Sequence, residues 1–446
     1  MKGGMTMRKK AYMIAAAMIL SGALAACGAS GTNTSAEDVK TNSNTVVATE
    51  LLNQTSDSTA SSGASSGDKV VSTAAVTSNG WIDGTDLFSE RDLTQTAELT
   101  DAQYITVSDG QDVKITSEGV YVLSGTASDV TVLVEAGDSD KVQLVLDGLS
   151  ITNSDEPCIY VKNADKVFVT TTEDSTNSLA VSGSFSSDGN TNTDAVIFAK
   201  ADVTVNGLGT LNISSSDNGI TSKDDLKVTG GTIILNCSGS ALEAKDSIRV
   251  SGGTIDIQSS NDGLHAEDDD DDTTGYIYIC GGSISVKAND DGIHATTYIQ
   301  VDGGTISINA GEGFEATKIQ INDGTISISA SDDGINAGYK SNSLGTPEIE
   351  FNGGTTTIVM GQGDTDGVDS NGNITVNGGT VDVSGQSTFD YDGTGTVNGG
   401  TVIENGTETN TLANQFGGGF GGGHGGNFGG NFGGGFGGGF GGGRER

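Results

Sequence analysis

From about Ala102 onward the chain alternates apolar and polar residues in short runs broken by Gly, Asn and Asp. GVYVLSG, VTVLVEAG, VQLVLDGLSIT, CIYVKN, KVFVTT and AVIFAK each place branched or aromatic residues at every second position. That is the pattern of a strand with one buried face. No stretch carries a convincing helical period, so the region is predicted to be all-β.

Beyond Lys200 the alternation becomes an explicit repeat. A glycine before Thr or Ser recurs at Gly231, Gly253, Gly282, Gly304, Gly324, Gly354, Gly379 and Gly400, at intervals of 22, 29, 22, 20, 30, 25 and 21 residues. The two longest intervals contain visible insertions, EDDDDDTTG after Ala266 and GYKSNSLGTPE after Ala337. A period of this size built only from short strands implies a solenoid. Within one unit Ile293 and Ala295, then Ile299 and Val301, then Ile306, Ile308 and Ala310 fall on one face. This predicts a parallel β-helix with three short strands per coil of about 21 residues, adjacent coils lying about 4.8 Å apart. Gly-Gly and Asn-Gly supply the positive-φ corners. A leucine-rich repeat would need its Leu/Asn signature, and a two-sheet sandwich would not hold a constant interval.

The ends read differently. Residues 1–26 have a basic start (Arg8, Lys9, Lys10) and an apolar stretch, AYMIAAAMILSGALAA, short for a membrane span. The stretch ends in Leu24-Ala25-Ala26-Cys27, like a bacterial lipobox, which predicts a signal peptide cut before a lipidated Cys27; an uncleaved anchor or a free signal peptide is the alternative. Residues 27–80 are rich in Ser, Thr, Asn and Ala and read as a disordered tether. Residues 81–413 form the expected β-helix. Residues 414–446 are a Gly/Phe tail whose Phe residues act as weak stickers or have no binding role. The expected location is the outer face of the cell membrane, lipid-anchored and reaching into the cell wall.

Charge narrows the partners. The chain carries a formal net charge of −38, and losing Lys2, Arg8, Lys9 and Lys10 with the signal leaves −38 − 4 = −42. Such a protein attracts cations and does not bind nucleic acid or an anionic membrane through charge. Past the signal, Cys158, Cys237 and Cys280 are three, too few and too far apart for a disulfide framework, and read as small buried residues.

The acidic phrase DGIHA at Asp291 returns as EGFEA at Glu312. Stacked coils would turn this phrase into ladders. One file holds Asp262, Asp291, Glu312, Asp333 and Asp366, with Asn261, Asp290 and Asp332 just before it. A second file, three residues on, holds Glu243, His265, His294, Glu315, Asn336 and Asp369. Unit charges this close cost about 1 kcal/mol per pair in water and several times that near a protein surface. A divalent cation with six to eight oxygen ligands offsets the repulsion, and calcium suits a stacked ladder better than octahedral magnesium. Two histidines alone do not make a transition-metal site. The alternative is a solvated acidic edge that blocks strand pairing. For Asp268 to Asp272, a solvated loop and an extra cation site are both open. DTDGVDSNGN from Asp364 fails the spacing of an EF-hand and falls in register with the repeats.

The phrases FSERDLT, GVYVLSGT, DKVQLVLDGLSI, SKDDLKVTGGTI and DDGIHA together resemble one family, the calcium-binding, right-handed β-helix carbohydrate-binding domain-containing proteins of anaerobic Gram-positive bacteria. The resemblance covers about Trp81 to Glu404. It implies a pectate-lyase-like coil, calcium between coils, and binding of acidic sugars such as polygalacturonate, or of cellulose, without catalysis. The motif acids it carries over are Asp262, Asp290, Asp291, Asp332, Asp333 and Asp366. Glu312 departs from aspartate, and Ser240-Ala241 stands where an Asp-Gly is expected.

Three functions compete. A polysaccharide lyase needs a base for the proton α to a uronate carboxyl, and the repeat region offers Arg249 and isolated lysines such as Lys223, Lys245 and Lys318. A calcium-bridged binder of uronates needs only the ladder with open ion positions. Cellulose needs an aromatic platform, to which Tyr276, Tyr278, Tyr298 and Phe351 could contribute, but they do not recur at one register, so uronates are the favoured ligand. A purely structural or adhesive stalk, expected like the binder to be monomeric, is the third.

Overall fold

The computed structural model describes residues 82–414 apart from 269, 342, 363 and 364. The signal peptide, Cys27, the tether and most of the Gly/Phe tail lie outside the described residues. Those described are all-β, with 33 strands and one helix of four residues.

Two sheets of 21 and 12 strands contain every named strand. The smaller takes one strand from each turn of the chain, starting at Val113–Ile115 and ending at Ser387–Tyr391. Its pairings are parallel and in register: Leu264 with Ile293, Ile293 with Phe314, Phe314 with Ile335, Ile335 with Val368. The larger sheet takes the other two segments of each turn. In some coils these segments are separate strands, such as Ser247–Val250 and Thr254–Ser259. In others they form one strand, Tyr298–Ala310, whose register shifts between Val301 and Thr305. The predicted three segments per coil are therefore present.

The corners follow from glycine. All eight glycines of the sequence repeat have positive φ, from 69° at Gly354 to 108° at Gly324. A side chain at such φ is strained, and at Gly304 an added Cβ would also sit 3.0 Å from the Gly281 carbonyl oxygen. The core is the apolar column that repetition builds. Leu264, Ile293, Phe314, Ile335, Val368 and Phe389 stack with no exposed surface, each worth about 1.5–3 kcal/mol of transfer free energy.

The last pairing reverses direction. Thr401–Glu404 pairs antiparallel with Thr407–Thr409 across Asn405 and Gly406, both at positive φ, the dihedral signature of a tight hairpin.

One element was not legible in the periodicity. Residues 82–95 form a strap across the outward file Phe168, Thr204, Lys227, Arg249, Tyr278 and Gln300, which the sheet register aligns. The four-residue helix Glu90–Leu93, closed by a Ser89–Asp92 capping box, sits in this strap. Ile82 exchanges two hydrogen bonds with Gln300. Asp92 enters between Lys166 at 2.6 Å and Lys227 at 3.6 Å. Cys158 and Cys237 are free and buried as expected. Cys280 is buried in its strand too, but it is disulfide-bonded, so the expectation of unbridged thiols fails there.

Candidate cation site on the stacked acidic coils

The register produces the first acidic file as expected. Asp291 pairs with Glu312, and the neighbouring pairs set Asp262, Asp333 and Asp366 in the same column, which Asn218 and Ser240 extend toward the N-terminus. Two of the acids tie their coil to the next. Asp262 Oδ1 accepts the Asp291 amide at 3.1 Å, and Asp333 Oδ1 accepts the Asp366 amide at 3.0 Å. At the head of the column Asn218 Oδ1 accepts the Ser240 amide at 2.8 Å. A neutral side chain thus makes the same structural bond, so this bond does not explain why the later coils carry charge.

The second file also forms, running Glu243, His265, His294, Glu315, Asn336, Asp369 and on to Asp390. Its histidines face the first file. His265 Nδ1 lies 2.5 Å from Asp262, and His294 Nδ1 lies 2.8 Å from Asp291 and 3.1 Å from Glu315. The two imidazoles stack 4.8 Å apart and within 2° of parallel. Burial pulls the His294 pKa down, but the Asp291 and Glu315 carboxylates outweigh it and hold it at about 10. For Glu315, burial opposes the shift, and His294 with Lys340 carries its carboxyl down to about 2.

Two groups of three side chains converge. Asp262, Asp290 and Asp291 bring their oxygens within 4.8 Å of one another, as do the ligand atoms of Asp291, His294 and Glu315. The second group is already served by its own imidazole, which stands between the two carboxylates. The first is an oxygen-only set, the donor chemistry that suits calcium. Asp262 and Asp291 are buried and Asp290 is exposed, so an ion held there keeps its outer side toward solvent.

Crowding is plain in the titration of the remaining ladder. Burial, then the neighbouring acids, pushes Glu312 up to about 8. Burial raises Asp333 to about 6 and, with Asp333 and Asp390 beside it, Asp369 to about 7. Glu312 accepts from Asn336 at 3.1 Å, Asp332 is exposed, and Asp366 is partly buried; among the described residues these do not converge with a third ligand. Glu243 is held by Asn218 at 2.6 Å and Lys223 at 2.9 Å.

Several other expectations resolve. Asp268 accepts from Thr274, from the Asp270 amide and from Lys245, and Asp272 accepts from Ser341 in the other insertion at 2.5 Å. The loop is tied down at both acids. Asp366–Ser370 is a strand in register with Ile335–Ala337, in keeping with rejection of the EF-hand. Tyr276, Tyr278, Tyr298 and Phe351 are all buried, and the three tyrosines pack with Ile82 and Leu87 of the strap, so they offer no flat face to a glucan. Arg249 Nη2 lies 2.9 Å from Asp225, both side chains 1% exposed. That pair joins neighbouring coils of the larger sheet, off the acidic files.

The family described as carbohydrate-binding domain-containing protein matches residues 109–367. A protein of that description from Acetivibrio thermocellus is 38% identical over 126 residues, which are 28% of this chain and 44% of the relative. The matched segment therefore spans less than half of that relative's length. Among solved structures, the gadolinium derivative of a polysaccharide lyase-like protein from C. thermocellum is 30% identical, with a TM-score of 0.46 over 48% of this chain and 92% of the other.

Proposed function

The chain belongs to the carbohydrate-binding domain-containing protein family, and from that premise we propose that it binds an acidic polysaccharide through calcium held on its coils. The observation that carries this reading is the Asp262–Asp290–Asp291 set, with two buried anchors and one exposed oxygen donor. Calcium takes six to eight oxygens, and three side chains leave positions that the carboxylates of a polygalacturonate-like chain fill. The burial of Tyr276, Tyr278, Tyr298 and Phe351 favours uronates over cellulose.

A binder rather than a lyase fits the basic residues. Arg249 is buried against Asp225, and Lys166 and Lys227 are buried around Asp92 of the strap, so none of them faces a substrate as a base. Lys245 is drawn to its protonated form by Asp268, which raises its pKa. We read the stack as a right-handed parallel β-helix, the hand that parallel strand connections overwhelmingly take. The whole is a surface lipoprotein anchored through Cys27.

Calorimetry of the full chain with polygalacturonate, with calcium and with EDTA, tests the reading. Binding should need calcium for most of its strength, and Asp291→Asn with Asp333→Asn should weaken calcium and polyuronate together while sparing any neutral glucan. Full affinity of the double mutant without calcium refutes bridging. An unsaturated, ultraviolet-absorbing product from wild type restores the lyase.

A further inference from the structure

On the coils that lead up to the second acidic file, overlapping it only at Glu243, runs a file of the opposite sign. Val161 pairs with Ala199, Ala199 with Ser222, and Ser222 with Ala244. Lys162, Lys200, Lys223 and Lys245 each follow one of these residues, so four consecutive coils carry a lysine at one register position. The chain has only 21 Lys and Arg against 59 Asp and Glu. On the next coil the same position is Glu267, after Ala266, and there the acidic insertion begins.

The four are open to solvent. Lys162, Lys223 and Lys245 side chains are 32%, 41% and 44% exposed, and Lys200 is exposed as well. Two rest against aromatic rings: Lys162 Nζ lies 5.1 Å from the Tyr160 ring centre and Lys223 Nζ 5.6 Å from that of Phe198. Tyr160 and Phe198 meet edge to face at 5.7 Å. Such contacts set the ammonium group over a ring face, a cation–π arrangement. Cavities flank the file at both ends. One of about 270 Å³ is lined by Tyr160 and Lys162 with Asp112, Glu156 and Asp188, and one of about 520 Å³ by Lys223, Lys245 and His265 with Glu243, Glu267, Asp268 and Asp270. The second is in the size range of small-ligand pockets.

We propose that Lys162, Lys200, Lys223 and Lys245 form a metal-independent stripe that binds successive carboxylates of the same acidic polysaccharide. The inference rests on the acidic-polysaccharide reading above and adds to it a second mode of contact. Ammonium groups repeated at the coil spacing, about 4.8 Å, repel one another unless anions intervene. Their present partners are Asp188 and, at 3.8 Å, Glu135 for Lys162, Glu243 for Lys223 and Asp268 for Lys245, while Lys200 donates to the Thr191 hydroxyl. The pairs at Lys162 and Lys223, whose carboxylate partners are 47% and 24% exposed, are worth little in water, so a polymer carrying one carboxylate per ring exchanges with them readily. At Lys245 the partner Asp268 is 2% exposed, and there the polymer adds to the pair rather than replacing it. Lysine, a mobile point charge, suits a polymer whose carboxylates need no fixed bidentate geometry. The stripe runs along the stack, in line with the acidic coils where calcium is proposed, so one extended chain meets lysines first and ions next.

The test is retention of the full chain on immobilised polygalacturonate in EDTA, at low and high salt. Wild type should keep a residual affinity that salt weakens. Replacing all four lysines with Gln should lower it at least tenfold, all four with Arg should preserve it, and the pair Lys200→Gln with Lys245→Gln should fall between, which covers poor folding of the fourfold variant. Unchanged EDTA affinity of the Gln variants overturns the stripe. Wild-type binding that vanishes in EDTA overturns the stripe and leaves calcium bridging standing. No binding under either condition overturns both.

Discussion

Asp262 Oδ1 accepts the backbone amide of Asp291, one coil onward, at 3.1 Å, and Asn218 makes the equivalent bond to Ser240 without a charge. The column therefore holds its coils together by a hydrogen bond that carboxamide and carboxylate supply alike. What carboxylate adds is electrostatic, and it separates the stabilising role of the file from its ion-binding role.

Asp262→Asn combined with Asp291→Asn should keep the fold. In EDTA the thermal midpoint should stay within a few degrees of wild type, because the crowding relieved among the acids is offset by the lost pairing with His265 and His294. Calcium, which stabilises wild type according to its concentration over the dissociation constant, should no longer raise the midpoint. A calcium-induced shift equal to that of wild type would show that the ion sits elsewhere.

In EDTA the protein should be more stable at pH 5 than at pH 8. Burial, then Asp225, raises Asp202 to about 7, and burial, then Asp246, raises Asp224 to about 6, against an unfolded value near 3.9. Between those values the folded chain binds more protons than the unfolded one, so stability falls as pH rises from about 4 through 7. The raised His294 acts in the same direction, its contribution being complete below about 6.5 and lost as pH climbs toward 10. Glu315, lowered to about 2, opposes this slope only below about pH 5, where an unfolded glutamate takes up its proton, and adds almost nothing between pH 5 and 8. Melts at the two pH values decide the matter, and a higher midpoint at pH 8 sinks the account.

Asp92→Ala should destabilise the described region by about 3–5 kcal/mol, the usual cost of leaving buried partner charges uncompensated. Lys166 and Lys227 are each under 9% exposed and converge on this one carboxylate. Burial raises the Asp92 pKa, but the two ammonium groups pull it below the ordinary carboxylate range. Urea unfolding measures the loss. A change under about 1 kcal/mol would mean that the strap contributes little.

Cys27→Ala should abolish fatty-acid labelling and leave the chain unprocessed or released from cells. Cys280 is disulfide-bonded, Cys158 and Cys237 are free, and the chain has four cysteines. A thiol takes a thioether or a disulfide but not both, so the intact mass of the native protein before and after reduction settles which one Cys27 carries. Labelling that survives the substitution removes the lipoprotein reading.

Repetition is what made the fold readable. The Gly231-to-Gly400 series marked each corner, and DGIHA against EGFEA fixed the register that the pairing of Asp291 with Glu312 bears out. The same dependence explains what was missed. The strap at residues 82–95 is used once and has no repeat to reveal it. Arg249 and Asp225 meet across coils through side-chain length rather than position. The lysine file was in plain view after CIYV, VIFA, GITS and LEA, but the alignment was anchored on acids. The stacking of His265 on His294 followed from register; their capture of Asp262 and Asp291 depends on side-chain rotation, which no spacing encodes.

The reversed pairing of Thr401–Glu404 with Thr407–Thr409 has a meaning for assembly. A pile of parallel coils has no inherent last member: its top rung offers unmet amides and carbonyls in the arrangement that would accept another rung, from this chain or from a neighbour. Folding the final strand back in the opposite sense presents a mismatched ledge instead. A chain cut at about residue 400 would bare the template, and head-to-tail association of the cut chain but not of the full one would mark this short hairpin as a terminator of polymerisation.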